Sequence, residues 1–139
     1  MTIEQFIEQS AHITFTYQVT SEVFDGFQRC SNDFNALHTD ADFAKTKGFD
    51  QPVMYGNILN AFLSHFVGML LPTRDVMILS QTILYQNPFF MNDELSFESS
   101  IDKYSPTVNV VDYKFKFRRE KDGKTVLIAN GHIQIKLLA

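Results

Sequence analysis

The 139-residue sequence holds no tryptophan, one cysteine, four prolines and no run of lysine or arginine. Each shortage removes a class of protein. The lone thiol, Cys30, cannot form an intrachain disulfide framework or supply a multi-cysteine zinc pattern, which favours a reducing compartment, with the cytoplasm as the default. It reads as a buried thiol rather than a nucleophile, since nothing in its surroundings promises a low pKa. Four scattered histidines (His12, His38, His65 and His132) show neither HxH nor HxxxH spacing, so no metal is expected. There is no glycine-rich phosphate loop. With a net charge of −4 and a pI near 5.5, the chain lacks the basic footprint that nucleic acid requires, and a small partner is expected. The opening "MTIEQFIEQS" carries acids and lacks the basic start and apolar run of a signal peptide. The most apolar stretch, "ILNAFLSHFVGMLLP", falls short of the roughly 20 residues a membrane span needs and reads as a core helix.

What is abundant is phenylalanine, 14 residues of it, in a chain long enough for one hydrophobic core, and residues 1–139 are read as one domain. "HITFTYQVT" alternates Ile13, Phe15, Tyr17 and Val19 against polar neighbours, the pattern of a half-buried strand. From Ser21 the period becomes helical, with Thr20 or Ser21 as N-cap, and a short helix is expected to run to about Cys30. A second fits "DADFAKTK", capped by Asp40 and stopped by Gly48. The loop "FDQPVMYGN" delivers Gly56 to the start of a helix from about Asn57 to Leu71, whose only polar stripe is Asn57, Asn60 and Ser64. After Pro72 the chain reads as four strands joined by hairpin-length links, clearest where Val111, Tyr113, Phe115 and Phe117 oppose Asp112, Lys114, Lys116 and Arg118. An α+β architecture follows: one antiparallel sheet curled around a central apolar helix.

The chemistry-bearing stretch is "SNDFNALHTD". Asp33 and His38 are five residues apart, awkward for a helix or a strand, and they meet only if the backbone folds back between them. If it does, a carboxylate and an imidazole can share one water, and the Gly56 amide at a helix N-terminus can hold a carbonyl oxygen that becomes negative. Plainer readings stand beside this one. Asp33 can simply cap a turn, His38 can be a hydrogen-bonded, half-buried side chain, and Gly56 can serve backbone geometry alone.

In combination, "SNDFNALHTDADFAKTKGFDQPVMYGNILNAFLSHFVGMLLP" resembles the MaoC-like, (R)-specific enoyl-CoA hydratase family: Asp-Phe-Asn-x-x-His-x-Asp, then Phe-x-x-Pro-Val-x-x-Gly opening a helix. The similarity extends into "QTILYQNPFFMNDEL". It implies a hot-dog fold, a curved antiparallel sheet wrapped around one long helix, working as a homodimer or dimer of dimers. It also implies that Asp33 and His38 are the catalytic pair that activates water and that Gly56 is the glycine whose amide polarises a thioester carbonyl. Asn35, holding the motif loop, and Ser64, beside the site, would be substrate-binding residues. Two positions depart from the pattern: Tyr55 stands where the family usually has histidine, and Ala36 where proline is common. Tyr55 is then a candidate substrate contact through its hydroxyl.

The implied reaction is reversible hydration of a trans-2-enoyl thioester, carried by CoA or an acyl carrier protein, to an (R)-3-hydroxyacyl thioester, without metal or redox cofactor. Two alternatives remain: a hot-dog thioesterase using Asp33, and a non-catalytic subunit that binds an acyl thioester. Lys116, Arg118 and Arg119 are candidate contacts to CoA phosphates, against the plainer reading of a solvated strand face.

Overall fold

The computed structural model describes residues 1–138. In chain order it contains α1 (Ile3–Ser10), β1 (His12–Gln18), α2 (Ser21–Ser31), α3 (Ala36–Thr39), α4 (Ala41–Thr46) and α5 (Ile58–His65). A π-helical segment, Phe66–Leu70, continues α5 and is followed by β2 (Val76–Tyr85), β3 (Glu94–Ser105), β4 (Val110–Lys121) and β5 (Lys124–Leu137). The five strands form one antiparallel sheet in the order β1-β3-β4-β5-β2.

Alternation decides which sheet face meets the helix. On β4, Val111, Tyr113, Phe115 and Phe117 are buried, while Lys114 and Lys116 are exposed on the opposite face. β4 and β5 are joined by a tight turn in which Asp122 (φ 53°) and Gly123 (φ 73°) both take positive φ, as a two-residue hairpin turn demands. The abundant phenylalanine fills the space between layers. Phe66 on the helix lies 4.9 Å from Phe97 on β3, which is 5.1 Å from Phe117 on β4. Tyr17 stacks on Phe62 at 4.4 Å, and its hydroxyl reaches the Phe62 carbonyl (3.1 Å) and His65 Nδ1 (2.9 Å). Burial pushes the Tyr17 and Tyr113 phenols well above their usual pKa, so both stay neutral donors inside the core.

The helices match their sequence signals, with α1 and α3 as additions. Thr20 caps α2 through Val23 N, and Asp40 caps α4 through Asp42 N and Phe43 N. Gly48, at φ +90°, lies just past the end of α4. The unanticipated α1 is announced by a capping box: the Thr2 side chain accepts from Gln5 N, and Gln5 Oε1 accepts from Thr2 N. It buries Ile3, Phe6 and Ser10, and Ser10 Oγ meets the Tyr113 hydroxyl at 2.7 Å. Cys30 is exposed, not buried, because α2 lies on the surface with no fully buried residue. β2 ends the sheet, and its side chains include Met77 and Leu84 at 49% and 61% exposure.

Two glycines separate backbone freedom from packing need. A Cβ on Gly131 would lie 1.9 Å from the Thr82 carbonyl across the β5–β2 pairing and 2.9 Å from the Phe115 ring. A Cβ on Gly26, inside α2, would meet nothing within 4 Å. Gly131→Ala is therefore expected to cost about 3 kcal/mol through forced displacement, whereas Gly26→Ala should stabilise by about 0.5–1 kcal/mol through helix propensity. Urea unfolding of the two variants beside wild type measures both.

Candidate active site

The stretch between α2 and α4 is folded by its own short polar side chains. Asn32 ends α2 in the left-handed conformation (φ 55°), and its N–H donates to the Gln28 carbonyl. Asp33 Oδ1 then accepts from Asn35 N at 3.0 Å, and Asn35 Oδ1 accepts from Leu37 N at 2.9 Å, capping α3. These two successive side-chain turns reverse the backbone within the five-residue interval. Asp33 does cap a turn, as the plainer reading had it, but with one carboxylate oxygen, and Oδ2 has no protein donor among the described residues.

His38 is half-buried. Its Nδ1 lies 2.6 Å from the Val53 carbonyl. A carbonyl only accepts, so Nδ1 carries the proton and Nε2 is left with its lone pair in the neutral ring. His38 lines two neighbouring clefts. The first, of about 380 Å³, is bounded by Phe24, Gln28, Gln51, Pro52, Met54 and Met91 besides His38. The second, of about 370 Å³, holds His38 and Gly56 together with Val53, Tyr85, Pro88 and Phe89. Asp33 lines neither and is half-buried on the turn after α2.

Gly56 opens the helix, and its N–H meets no acceptor among the described residues, as expected of the first amides of a helix. It also serves packing, because an added Cβ would sit 3.0 Å from Tyr85 Cε1, tighter than ordinary contact. Tyr85 is held over the glycine by the polar stripe of α5. Its hydroxyl lies 3.2 Å from Asn57 Oδ1 and 3.3 Å from Asn60 Nδ2, while Asn60 Oδ1 accepts from Gln81 Nε2. Burial raises the Tyr85 pKa and the Asn60 contact lowers it, burial prevailing. Sequence reasoning passed over Tyr85, Gln81 and Gln28, because only the pairing of β2 beside α5 and the approach of α2 bring them here.

The remaining sequence-selected residues fall in different places. Asn35 holds the loop through its α3 cap. Ser64 is exposed on α5 and lines neither cleft. Tyr55 is corrected as a substrate contact: it is 2% exposed, and its hydroxyl donates to the Asp33 carbonyl at 2.5 Å. Two of the strand cations are paired, Arg118 with Glu98 at 2.7 Å and Arg119 with Asp93 at 3.1 Å. Lys116 is exposed on the outer sheet face. Among the described residues, no group of three His, Cys, Asp or Glu side chains is arranged to hold a metal ion, and no helix is long and apolar enough to cross a membrane.

An antiparallel sheet over one apolar helix, with His38 and the helix-start Gly56 lining one cleft, defines the class of protein. The family described as "MaoC like domain" matches residues 2–118, and the chain belongs to it. Over 75 residues, 54% of this chain, it is 35% identical to the (R)-specific enoyl-CoA hydratase of Aeromonas caviae. It is 21% identical over 112 residues, 81% of the chain, to the mitochondrial 3-hydroxyacyl-[acyl-carrier-protein] dehydratase of Arabidopsis thaliana. The chain spans 56% and 66% of the length of these two relatives. Among solved structures, the (R)-hydratase from A. caviae involved in PHA biosynthesis superposes with a TM-score of 0.81 at 24% identity, covering 91% of this chain and 93% of that one. The fold is the hot-dog fold.

The family's common proline has a physical reading here. Ala36 is the first residue of α3, where a missing N–H costs nothing, and the preceding Asn35 (φ −55°, ψ 133°) already has the extended backbone that a following proline requires. Ala36→Pro is expected to stabilise the protein by about 0.4–1 kcal/mol by narrowing the unfolded ensemble. Equilibrium urea unfolding measures it, and a loss of stability would show that the turn in the folded chain differs from this description.

Proposed function

We propose that the protein is a hydro-lyase that reversibly hydrates trans-2-enoyl thioesters, linked to CoA or an acyl carrier protein, to (R)-3-hydroxyacyl thioesters. The observation that carries the reading is the shared cleft of His38, whose Nδ1 is taken up by the Val53 carbonyl, and Gly56, whose amide has no acceptor among the described residues. Sequence likeness to the A. caviae hydratase supports it.

In the mechanism, the thioester oxygen accepts from Gly56 N–H, and C3 of the conjugated acyl group lies toward His38. His38 holds one water in the cleft, and Asp33, which lines neither cleft in the single chain, is assigned to share that water through its free Oδ2. As its oxygen bonds to C3, its proton passes to this pair, and the π electrons move toward the thioester oxygen to form an enolate. The Gly56 amide, at the positive end of α5, stabilises that charge. The pair then returns a proton to C2, so one water has been added and both residues are restored. The same steps in reverse are dehydration. No metal or redox cofactor takes part.

The domain works in the cytoplasm and pairs as a homodimer. The apolar, exposed side chains of the edge strand β2 support pairing along that edge, beside the cleft that Tyr85 lines. Such a pairing adds a second wall to a cleft that is open in one copy.

Absorbance of the conjugated thioester, followed with crotonyl-CoA and with a longer trans-2-enoyl-CoA, tests the reading. Asp33→Asn keeps an oxygen for the Asn35 N–H and so keeps the turn, yet is expected to lose about a hundredfold or more of the rate with ligand affinity within about threefold. Release of free thiol without loss of conjugation would instead identify a thioesterase. Binding without turnover in wild type would identify a non-catalytic subunit.

A further inference from the structure

We propose that Tyr55 is a positioning residue that fixes the Asp33 turn relative to the Gly56 amide, an inference that rests on the hydration reading above. Tyr55 is bonded directly to Gly56, so any movement of its backbone moves the amide. Its hydroxyl donates to the Asp33 carbonyl at 2.5 Å and accepts from Gln28 Nε2 at 3.2 Å. The ring packs between Phe27 (4.8 Å) and His38 (4.3 Å), with Phe24 at 5.5 Å. One buried side chain thus touches the backbone of the carboxylate residue, the face of the imidazole and the end of α2, and it precedes the oxyanion donor in the chain. Its proton and an acceptor lone pair are both used within the protein, which leaves the hydroxyl no part in holding substrate.

The other ties between the turn and this loop act on its far half: Val53 N donates to the Leu37 carbonyl at 3.1 Å, and His38 Nδ1 meets the Val53 carbonyl. Among the described residues, Tyr55 supplies the cross-loop bond that reaches Asp33 itself. Without it the carboxylate turn remains closed by its own side chains but is free to shift against His38 and Gly56. A shift of about 1 Å there is enough to cost up to a hundredfold in rate.

Tyr55→Phe retains the ring and removes the strut. With crotonyl-CoA, kcat is expected to fall about tenfold or more, within the range that misplacement produces, with KM and melting temperature little changed. Gln28→Ala should give a smaller fall of the same kind, and no further fall in the Tyr55→Phe background, because Gln28 acts through the hydroxyl. A substrate-independent readout accompanies these: amide hydrogen exchange over residues 32–38, where Asn32, Asp33, Asn35, Leu37 and His38 all have hydrogen-bonded N–H groups. Tyr55→Phe should speed exchange there and leave β4 and β5 unchanged. Unaltered kcat and unaltered exchange in Tyr55→Phe would overturn the proposal, as would faster exchange in all elements alike, which marks a merely structural residue. If wild type itself hydrates nothing, the hydration reading fails, and the exchange result alone decides whether Tyr55 organises the turn. If Tyr55→Phe does not fold, Gln28→Ala takes its place, and unchanged kcat and exchange in that variant overturn the proposal.

Discussion

Residues 58–70 form a helix that is apolar around most of its circumference, and such a helix is stable only when other elements cover it. The sheet is the cover. Phe97, Tyr113 and Phe117 project from its inner face and meet Phe62 and Phe66, so the two layers specify each other. Burying the helix body fixes where its N-terminus emerges, and there the first amides lack intrahelical acceptors. Gly56 belongs to that start. There the Gly56 N–H is left without an acceptor among the described residues.

The second constraint is local. A five-residue interval between carboxylate and imidazole fits no regular element, and this chain resolves it with two successive side-chain-to-backbone bonds, from Asp33 and from Asn35. The turn is small, and it is anchored at several points: by Gln28 through the Asn32 cap, by Val53 through His38, and by the Tyr55 hydroxyl. The same residues that satisfy backbone groups therefore decide which side-chain atoms stay available. Asp33 spends one oxygen and keeps the other, and His38 spends Nδ1 and keeps Nε2.

Strands were legible from the sequence because a strictly alternating segment has one answer for which side faces the core, as in β4. The central helix was legible from its apolarity and from the Gly56 and Pro72 that bracket it. Sheet order was not, since hairpin lengths join β4 to β5 but say nothing of β2 lying at the far edge or β1 beside β3. α1 carried a readable signal in the Thr2–Gln5 box and in the spacing of Ile3, Phe6 and Ile7. In the site, Asp33, His38 and Gly56 were recognisable as residue types at a spacing, but the direction of a side chain is a tertiary fact. Tyr55 shows this most clearly: its hydroxyl looks like a substrate contact in the sequence and is a bond to the Asp33 backbone in the fold. Ser64 shows the converse, a helix polar residue facing solvent in the single chain.

In the proposed hydration a thioester carbonyl lodges against the Gly56 amide with His38 facing the adjacent double bond. Infrared difference spectroscopy of crotonyl-CoA bound to Asp33→Asn, with the thioester carbonyl labelled with carbon-13, reads that contact without turnover. The carbonyl band is expected at lower frequency than in free crotonyl-CoA, because a donor at the helix start draws electron density onto the oxygen. A bound ligand whose carbonyl band matches the free molecule would contradict it.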